Sequence, residues 1–386
     1  MKRYILGIIS LQFLIITPAE QKEFVVCSYN IDTNMVRTEE GFARDAHPEW
    51  RIKERMPHII KTLKTVIKRD NPDLIHIQEG RRCTTKFGDE IDSVTPLMNF
   101  LKIEGYQAWE QPYNLTGGAV FSFITAIKGN YTKLGNEFIY ITETPSPADH
   151  SDHAARLSEI KKHNFGDEYE RCVYITKFKD EKDALYYSCN VHLALGLEHR
   201  KKASEIINEW AEKVKKENPK AHIIITGDFN TFSDWGGQEQ LAIIKDAGIL
   251  TSATDTLKIY GTEQAINSSF FPFPHDFGAQ EKSLKEELEE LKKTDPVTRK
   301  LKMHEIFKDK CKALGDKLDH VFVAGFKKTR AYLSPFGLFS DGPIEYLEHL
   351  VKDYVLRHHI NSKEGKKSEG PAFASDHQPV ITFLEK

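Results

Sequence analysis

The sequence predicts an α/β protein in which two packed β-sheets carry helices on their outer faces. Short apolar runs of strand length recur along the chain, and segments with helical periodicity lie between some of them. The strand-like runs come in groups and several contain alternating β-branched residues, which fits two packed sheets better than a continuous parallel βαβ series. No linker rich in Gly, Ser or Pro divides the chain. We therefore predict one layered domain.

The amino terminus differs in composition from the rest of the chain. Lys2 and Arg3 precede an apolar run, and small residues follow that run before Glu20. This order is typical of a secretory signal peptide, and the apolar run is short for a membrane span. An uncleaved membrane anchor is the alternative interpretation. We predict a signal peptide over residues 1–19, a mature domain over residues 20–386, no stable membrane insertion, and a secreted or periplasmic location.

The predicted elements follow one another along the mature chain. Two segments, 55–73 and 200–220, carry apolar residues at three- and four-residue spacing and end near Asn-Pro, which predicts helices. The apolar runs of strand length predict strands. These runs cover residues 24–31, 73–79, 119–127, 171–178, 185–193, 222–230, 318–325 and 379–385.

Residues 281–314 form a highly charged segment with the character of an insertion. Leu284, Leu288 and Leu291 make one apolar stripe, and a second stripe follows the break at Asp295-Pro296. We predict a helical hairpin packed on the edge of the domain. A lid over the substrate or a partner surface is the alternative.

The overall charge of the chain does not point to nucleic acid or an anionic membrane as a partner, and it leaves a local basic patch open. The chain of 386 residues is 40% hydrophobic, and its 54 basic and 57 acidic residues give a formal charge of -3. This charge provides no global positive field for nucleic acid or an anionic membrane. Five cysteines are too few for a disulfide framework and cannot all pair internally. Cys27 and Cys189 lie in apolar runs and are predicted to be small buried thiols, with a single bridge as the alternative.

Polar side chains lie at the edges of six predicted strands. Asp and Asn are common where strands turn into loops, so any one of these edges would need no explanation. Six of them, in a protein whose strands otherwise look buried, need a common reason. The residues are Asn30 and Asp32, Gln78 and Glu79, Asn190 and His192, Asp228 and Asn230, Asp319 and His320, and Asp376 and His377.

The chemistry of these side chains points to a metal and a phosphate. Carboxylate and amide oxygens without a Cys-rich cluster suit a hard cation such as Mg²⁺, and Mn²⁺ fits the same ligands. Such an ion offsets charge on phosphate oxygens and on a leaving alkoxide. A further carboxylate can deprotonate water, and histidines can donate to phosphate oxygens. The pattern therefore predicts hydrolysis of a phosphate ester.

The motifs SYNI, IQE, NVHL, GDFN, LDH and SDHQPV occur in this order between Phe24 and Phe383. Together they resemble the endonuclease/exonuclease/phosphatase superfamily, and the chain looks most like its secreted bacterial-type branch. The resemblance implies a four-layer α/β/β/α sandwich with two packed mixed β-sheets. It also implies a site where loops from both sheets meet.

The resemblance implies a metal site. Glu79 would be the principal ligand, with Asn30 and Asp32 beside it, and Asp376 would reach the metal region. One Mg²⁺ ion is the cofactor that this set implies. His320 occupies a place that is often aromatic in relatives, and a packed or surface histidine is expected there.

The resemblance also implies catalytic roles for the remaining motif residues. Asp228 would orient or deprotonate the attacking water, and Asn230 would hold the scissile phosphate. His192 would donate to a phosphate oxygen or assist the leaving group. Asp319 would pair with His377, which would stabilise charge in the transition state.

The leading hypothesis is a Mg²⁺-dependent phosphoesterase that hydrolyses a phosphodiester by in-line attack of water, as nucleases and phosphodiesterases do. The fold and the catalytic set are shared by enzymes with different substrates. A phosphomonoesterase, a phospholipase C-type enzyme acting on lipid or inositol phosphates, and a non-catalytic binding module are the alternatives. The expected partner is a phosphate-ester substrate, with nucleic acid among the candidates, and the protein is expected to be a monomer.

Overall fold

The structure of the protein is a computed structural model. The predicted signal peptide, nearly all of the predicted insertion, and the side chains Asp32 and Asp376 lie outside the residues that it describes. The described residues are 23–31, 52–84, 90–116, 119–140, 172–194, 196–231, 237–255, 257–259, 293, 317–333, 377 and 379–386.

Both predicted helices and all eight predicted strands are present, with boundaries that differ by a few residues. Four helices occur in the described part of the chain: α1 Ile52–Asp70, α2 Val94–Ile103, α3 Leu197–Glu217 and α4 Gly237–Asp246. None of the helices in these ranges is both long and apolar enough to cross a membrane.

The strands include several that the apolar runs did not predict, among them β4, β6 and β13. The bounds are β1 Phe24–Asn30, β2 Leu74–Thr84, β3 Glu90–Asp92, β4 Tyr106–Thr116, β5 Ala119–Lys128, β6 Thr132–Tyr140, β7 Cys172–Lys179, β8 Leu185–His192, β9 His222–Asp228, β10 Thr251–Ser252, β11 Leu257–Ile259, β12 Asp319–Ala324, β13 Lys328–Leu333 and β14 Val380–Glu385.

The described strands form two mixed sheets. The first sheet has the order β11-β13-β14-β1-β2-β5-β4, with β3 paired to β2, and the second has the order β10-β12-β9-β8-β7-β6. The pairs β1–β2 and β11–β13 are parallel in the first sheet, and β8–β9 is parallel in the second. The other described pairs are antiparallel.

The two sheets pack face to face, with helices outside. One buried cluster lies between the sheets and combines Phe24 and Val26 of β1 with Ile224 of β9. A second cluster joins α1 and α2 to the outer face of the first sheet, and a third joins α3 and α4 to the outer face of the second. The predicted four-layer α/β/β/α sandwich is therefore confirmed.

Period-two alternation decides which side chains point between the sheets. On β1, Phe24 and Val26 belong to the central cluster, whereas Val25 and Cys27 face the helices. Asn30 therefore lies on the inter-sheet face, the face that each sheet turns toward the other. The same rule holds on three strands of the second sheet. Tyr186, Ile224 and Val321 face the first sheet, so alternation places His192, Asp228 and Asp319 there too.

Cys27 and Cys189 alternate to the opposite, helix-facing side of their strands. Both are fully buried free thiols, which confirms the prediction made for them. Burial raises the pKa of each thiol well above its ordinary value. These cysteines are therefore apolar packing groups.

A polar connection crosses the space between the sheets at His76. Its Nδ1 lies 2.7 Å from Thr226 Oγ1, and its Nε2 lies 2.9 Å from Ser188 Oγ. Nearby, Gln78 Nε2 donates to Asn190 Oδ1 at 2.7 Å. All of these side chains are fully buried. Because buried polar groups need partners of defined geometry, these bonds fix the offset of one sheet against the other.

The protein is expected to lose stability in mild acid through its buried histidines. Burial lowers the pKa of His76 to about 3, and burial also lowers that of His320 to about 3. Unfolding restores an ordinary pKa near 6.5, so the unfolded state binds more protons between pH 3 and 6.5. The free energy of unfolding should fall by about 2 kcal/mol per histidine between pH 7.5 and 5.

Urea unfolding at the two pH values measures this loss. In His76→Gln, the pH dependence should be smaller than in the wild type by about 2 kcal/mol, whatever the stability of the variant at pH 7.5. If the free energy of unfolding depended on pH equally in the two proteins, the pKa of His76 would be the same in the folded and unfolded states, and the prediction would be wrong.

Candidate functional site

Most of the predicted site residues meet at one edge of the sandwich. In a parallel pair the carboxyl ends of both strands reach the same edge, and here Asn30 pairs with Gln78 and His192 with Asp228. Asp319 begins β12 directly opposite Asp228 on the antiparallel neighbour β9. Inter-sheet residues at the ends of both sheets therefore lie next to one another.

Glu79 reaches this edge through an irregularity in β2. Leu74 packs between the sheets and Ile77 faces the helices, so strict alternation would place Glu79 on the helix side. The pairing of β2 with β5 shifts register between Ile77 and Gly80, and Glu79 has a φ of 62°. This left-handed conformation is costly for a residue with a side chain. The irregularity allows the Glu79 carboxylate to contact Asn30 on the inter-sheet side.

Four buried side chains form the centre of the site. Asn30 Nδ2 donates to Glu79 Oε1 at 3.1 Å and to Asp228 Oδ2 at 3.0 Å. His192 Nε2 lies 3.7 Å from the same Glu79 oxygen and 3.5 Å from the same Asp228 oxygen. None of the four is more than 6% exposed. The amide and the imidazole thus hold two carboxylates close together, away from water.

The central group has the composition of a cation site. One ligand atom each from Glu79, His192 and Asp228 lies within 4.8 Å of the other two. Two buried carboxylates at this separation repel each other, and a bound cation removes that repulsion. The carboxylate oxygens of Glu79 and Asp228 suit a hard divalent ion. The residues present therefore fit a divalent metal.

A second histidine lies on the other side of Asp228. His377 Nδ1 contacts Asp319 Oδ2 at 2.7 Å, and His377 Nε2 lies 3.7 Å from Asp228 Oδ2. Asp319 is fully buried and His377 is 5% exposed. Both ring nitrogens therefore face carboxylates, which orients the ring. The predicted pairing of Asp319 with His377 is present in the structure.

The turn after β9 is held by a buried arginine. Asn230 has a φ of 51°, its backbone N–H donates to Asp228 Oδ1 at 2.7 Å, and its side chain donates to Leu193 O at 2.6 Å. Arg200 of α3, fully buried, donates from Nη1 to Asn230 O at 2.7 Å. Burial lowers the pKa of the Arg200 guanidinium, and Asp228 opposes that shift. Arg200 thus fixes the turn that carries Asp228 and Asn230.

Gly227 allows β8 and β9 to come together beside the site. It has a φ of 144°, and a Cβ atom at this position would lie 1.9 Å from the backbone oxygen of Val191. No side chain fits in that space. The close approach places His192 and Asp228, the next residues on the two strands, side by side.

His320 lies on the helix-facing side of β12 and outside the central group. Its Nε2 contacts Thr231 Oγ1 and Lys317 O, both at 2.8 Å, and its ring stacks on Phe322 with centroids 5.8 Å apart. The packed role expected for this histidine is the one that the structure shows. Asp32 and Asp376, the other predicted residues of the metal region, lie outside the described residues.

Two contacts with the site were not predicted from the sequence. Tyr113 of β4 lies with its hydroxyl 2.9 Å from His192 Nδ1, and the buried Arg200 supports Asn230. Both contacts join residues that are far apart in the chain, and both depend on how strands and helices pack. A tyrosine after a proline and an arginine in an amphipathic helix carry no local signal of these roles.

Comparison with known proteins identifies the fold. No family model and no curated protein matches the sequence. An endonuclease/exonuclease/phosphatase from Bacteroides vulgatus has a similar structure, with a TM-score of 0.52 and 16% identity over 94% of this chain and 99% of that chain. This chain has the endonuclease/exonuclease/phosphatase fold. Truncated TDP2 from Caenorhabditis elegans is similar to the same degree, with a TM-score of 0.52 and 12% identity over 95% of this chain and 99% of that chain.

Proteins named for different activities share the endonuclease/exonuclease/phosphatase fold. A mannosyl-6-phosphatase from Bacteroides thetaiotaomicron aligns with a TM-score of 0.50 and 15% identity over 94% of this chain and 99% of that chain. At these identities the likeness concerns the fold alone. The function must therefore be argued from the site of this chain.

The close approach at Gly227 predicts a large loss of stability in Gly227→Ala. The added methyl would collide with Val191 O, so the strands must separate, and unfolding free energy should fall by about 2 kcal/mol or more. Urea unfolding measures the change. Gly135→Ala is the matched control, since a Cβ there meets nothing within 4 Å, and it should change stability by less than about 0.5 kcal/mol. Equal stabilities for the two variants would contradict the prediction.

Proposed function

We propose that the protein is a metal-dependent phosphoesterase that hydrolyses a phosphodiester by in-line attack of water. The observation that carries the proposal is the meeting of Glu79, His192 and Asp228 within 4.8 Å, with the His377–Asp319 pair beside Asp228. A cation site, a carboxylate and two oriented imidazoles can together carry out phosphate-ester hydrolysis. The fold, which TDP2 and the mannosyl-6-phosphatase share, agrees with this assignment.

Mg²⁺ is the metal that we assign to this site. Glu79 would be its principal ligand, with Asn30 beside it, and Asp32 and Asp376 are the further candidates that the sequence provides. When bound, the ion would offset negative charge on the phosphate and the leaving oxygen. The buried setting strengthens each of these electrostatic interactions.

Different side chains of the site accept and donate the protons that hydrolysis moves. Asp228 accepts a proton from water as the new O–P bond forms, and the bond from phosphorus to the leaving oxygen breaks on the opposite side. His192 donates through Nε2 to a phosphate oxygen or to the leaving group. His377, held by Asp319, stabilises the added charge in the transition state. Asn230 contributes its side-chain amide to the phosphate.

A phosphodiester outside the cytoplasm is the substrate class that we propose. The assignment to a secreted or periplasmic location rests on the order of basic, apolar and small residues in residues 1–19. The formal charge of -3 disfavours avid non-specific binding to nucleic acid, because that affinity depends on neutralisation of phosphates by Lys and Arg. Phosphodiesters that are short, or that bind the protein through a single phosphate, therefore suit the site better than long duplexes.

Loss of the proton acceptor should abolish most of the activity. Asp228→Asn retains the size of the side chain and removes its basicity, so kcat for a chromogenic phosphodiester should fall by about 10²–10⁴-fold. His192→Ala should cause a loss in the same range. Asp246→Asn, on an exposed position of α4, is the control and should retain full activity. Undiminished cleavage by both site variants would overturn the assignment.

Removal of the metal should stop cleavage without unfolding the protein. Chelator should abolish hydrolysis of the chromogenic substrate, and added Mg²⁺ should restore it, while circular dichroism stays unchanged. Glu79→Gln should weaken Mg²⁺ binding by at least about 10-fold in isothermal titration calorimetry, because it removes the principal anionic ligand.

A substrate panel separates phosphodiester hydrolysis from the alternative functions. The panel contains DNA, RNA, sphingomyelin, inositol phosphates and a phosphomonoester, each tested with Mg²⁺. Cleavage of the monoester alone would indicate a phosphomonoesterase, and cleavage of the lipid would indicate a phospholipase C-type enzyme. If the folded protein binds Mg²⁺ and cleaves none of them, a binding module of the same fold replaces the proposal.

A further inference from the structure

Tyr113 contacts the ring nitrogen of His192 that points away from the carboxylates. The Tyr113 hydroxyl lies 2.9 Å from His192 Nδ1, while Nε2 of the same ring faces Glu79 and Asp228. Tyr113 is 1% exposed and His192 is 4% exposed. The contact is therefore a buried hydrogen bond, and bulk water does not compete for either partner.

Packing fixes the position of the Tyr113 hydroxyl. Its ring stacks on Phe123, with centroids 4.1 Å apart and an interplanar angle of 21°, and Phe121 lies 6.4 Å away. The residue also sits at an irregularity of β4, where the pairing with β5 shifts register between Pro112 and Asn114. Irregularities of this kind are common beside active sites, where they aim a side chain. The hydroxyl is thus held in place before any substrate binds.

The chemistry of the partners assigns the tautomer of His192. Carboxylate oxygens accept hydrogen bonds and cannot donate them, so the nitrogen that faces Glu79 and Asp228 carries the proton. In the neutral ring the other nitrogen is then an acceptor, and the Tyr113 hydroxyl is a donor in contact with it. The opposite tautomer would turn a lone pair toward two carboxylates.

In His377 the Nδ1 atom carries a proton, whereas in His192 the Nδ1 atom is an acceptor. Its Nδ1 contacts the Asp319 carboxylate at 2.7 Å, so this nitrogen must donate. A phenol hydroxyl holds one histidine of the site and a carboxylate holds the other. The two rings are therefore set up for different tasks.

We propose that Tyr113 is a positioning residue that fixes the Nε2–H tautomer of His192 and aims this N–H at the reacting phosphate. The aim at the phosphate rests on the phosphoesterase function proposed above, whereas the tautomer concerns the His192 ring alone. A nitrogen that carries a proton cannot coordinate a cation, so His192 is a hydrogen-bond donor and the metal falls to the oxygen ligands. Within the group of His192, Glu79 and Asp228, the carboxylates therefore bind the metal and the imidazole donates a hydrogen bond.

The tautomer can be observed directly by ¹⁵N NMR of the histidine rings. The full-length protein contains 16 histidines, and the spectrum of His192→Ala identifies the signals of His192. In the wild type at neutral pH, Nε2 should show the shift of a protonated nitrogen and Nδ1 that of an acceptor, with and without Mg²⁺. In Tyr113→Phe, the two shifts should move toward each other as the second tautomer becomes populated.

Steady-state kinetics provides the second readout. Tyr113→Phe should lower kcat by about 10–100-fold, a part of the roughly 10²–10⁴-fold that a positioned proton donor contributes, and leave KM nearly unchanged. Tyr174→Phe is the matched control, because it removes the same atom from another buried tyrosine of the same aromatic cluster. The control should preserve both kcat and the His192 shifts.

The outcomes separate this inference from the function on which part of it rests. A protonated Nδ1 in the wild type, or unchanged shifts and kcat in Tyr113→Phe, would overturn the role of Tyr113 even in an active phosphoesterase. The wild-type spectrum alone identifies the protonated nitrogen, even if Tyr113→Phe does not fold. If the shifts respond as expected while no phosphoester is cleaved, Tyr113 positions His192 and the proposed function fails alone.

Discussion

The packing of the two sheets against each other is the constraint on which the rest of the molecule depends. His76 reaches from the first sheet to Thr226 and Ser188 of the second, and Gln78 reaches to Asn190. A purely apolar interface would tolerate sliding, because hydrophobic contact has no direction. These buried hydrogen bonds have one satisfied arrangement. They set the offset of the sheets, and that offset brings the carboxylates of β2 and β9 together.

Much of the fold could be predicted from the sequence because apolar periodicity reports burial. Runs such as 24–31 and 222–230 are buried on both faces, and their hydrophobic content predicts strands without further context. The strands β4, β6 and β13 were not predicted because they are more polar, with mixed faces near the sheet margins. Their place is set by the neighbouring strands and by no local pattern.

The sequence indicates which residues form the candidate site better than it indicates how they are arranged. Alternation along each strand already places Asn30, Asp228 and the other even-numbered residues of their strands on one face. Glu79 breaks that rule, and only the register shift in β2 explains how it joins them. The contact between Tyr113 and His192 joins residues of opposite sheets. No pattern within either strand encodes such a contact, since it exists only after the sheets have docked.

The hydrogen bonds of Asn30 link the chemistry of this site to the order in which the chain folds. Asn30 and Asp228 are 198 positions apart in sequence, so the bond between them closes a very long loop. Long loops are costly to close and slow to form, so we expect the two carboxylates to come together late in folding. A partly folded chain then offers no complete cation cage. An ion that binds only the finished cage stabilises the native state by mass action and resists its unfolding.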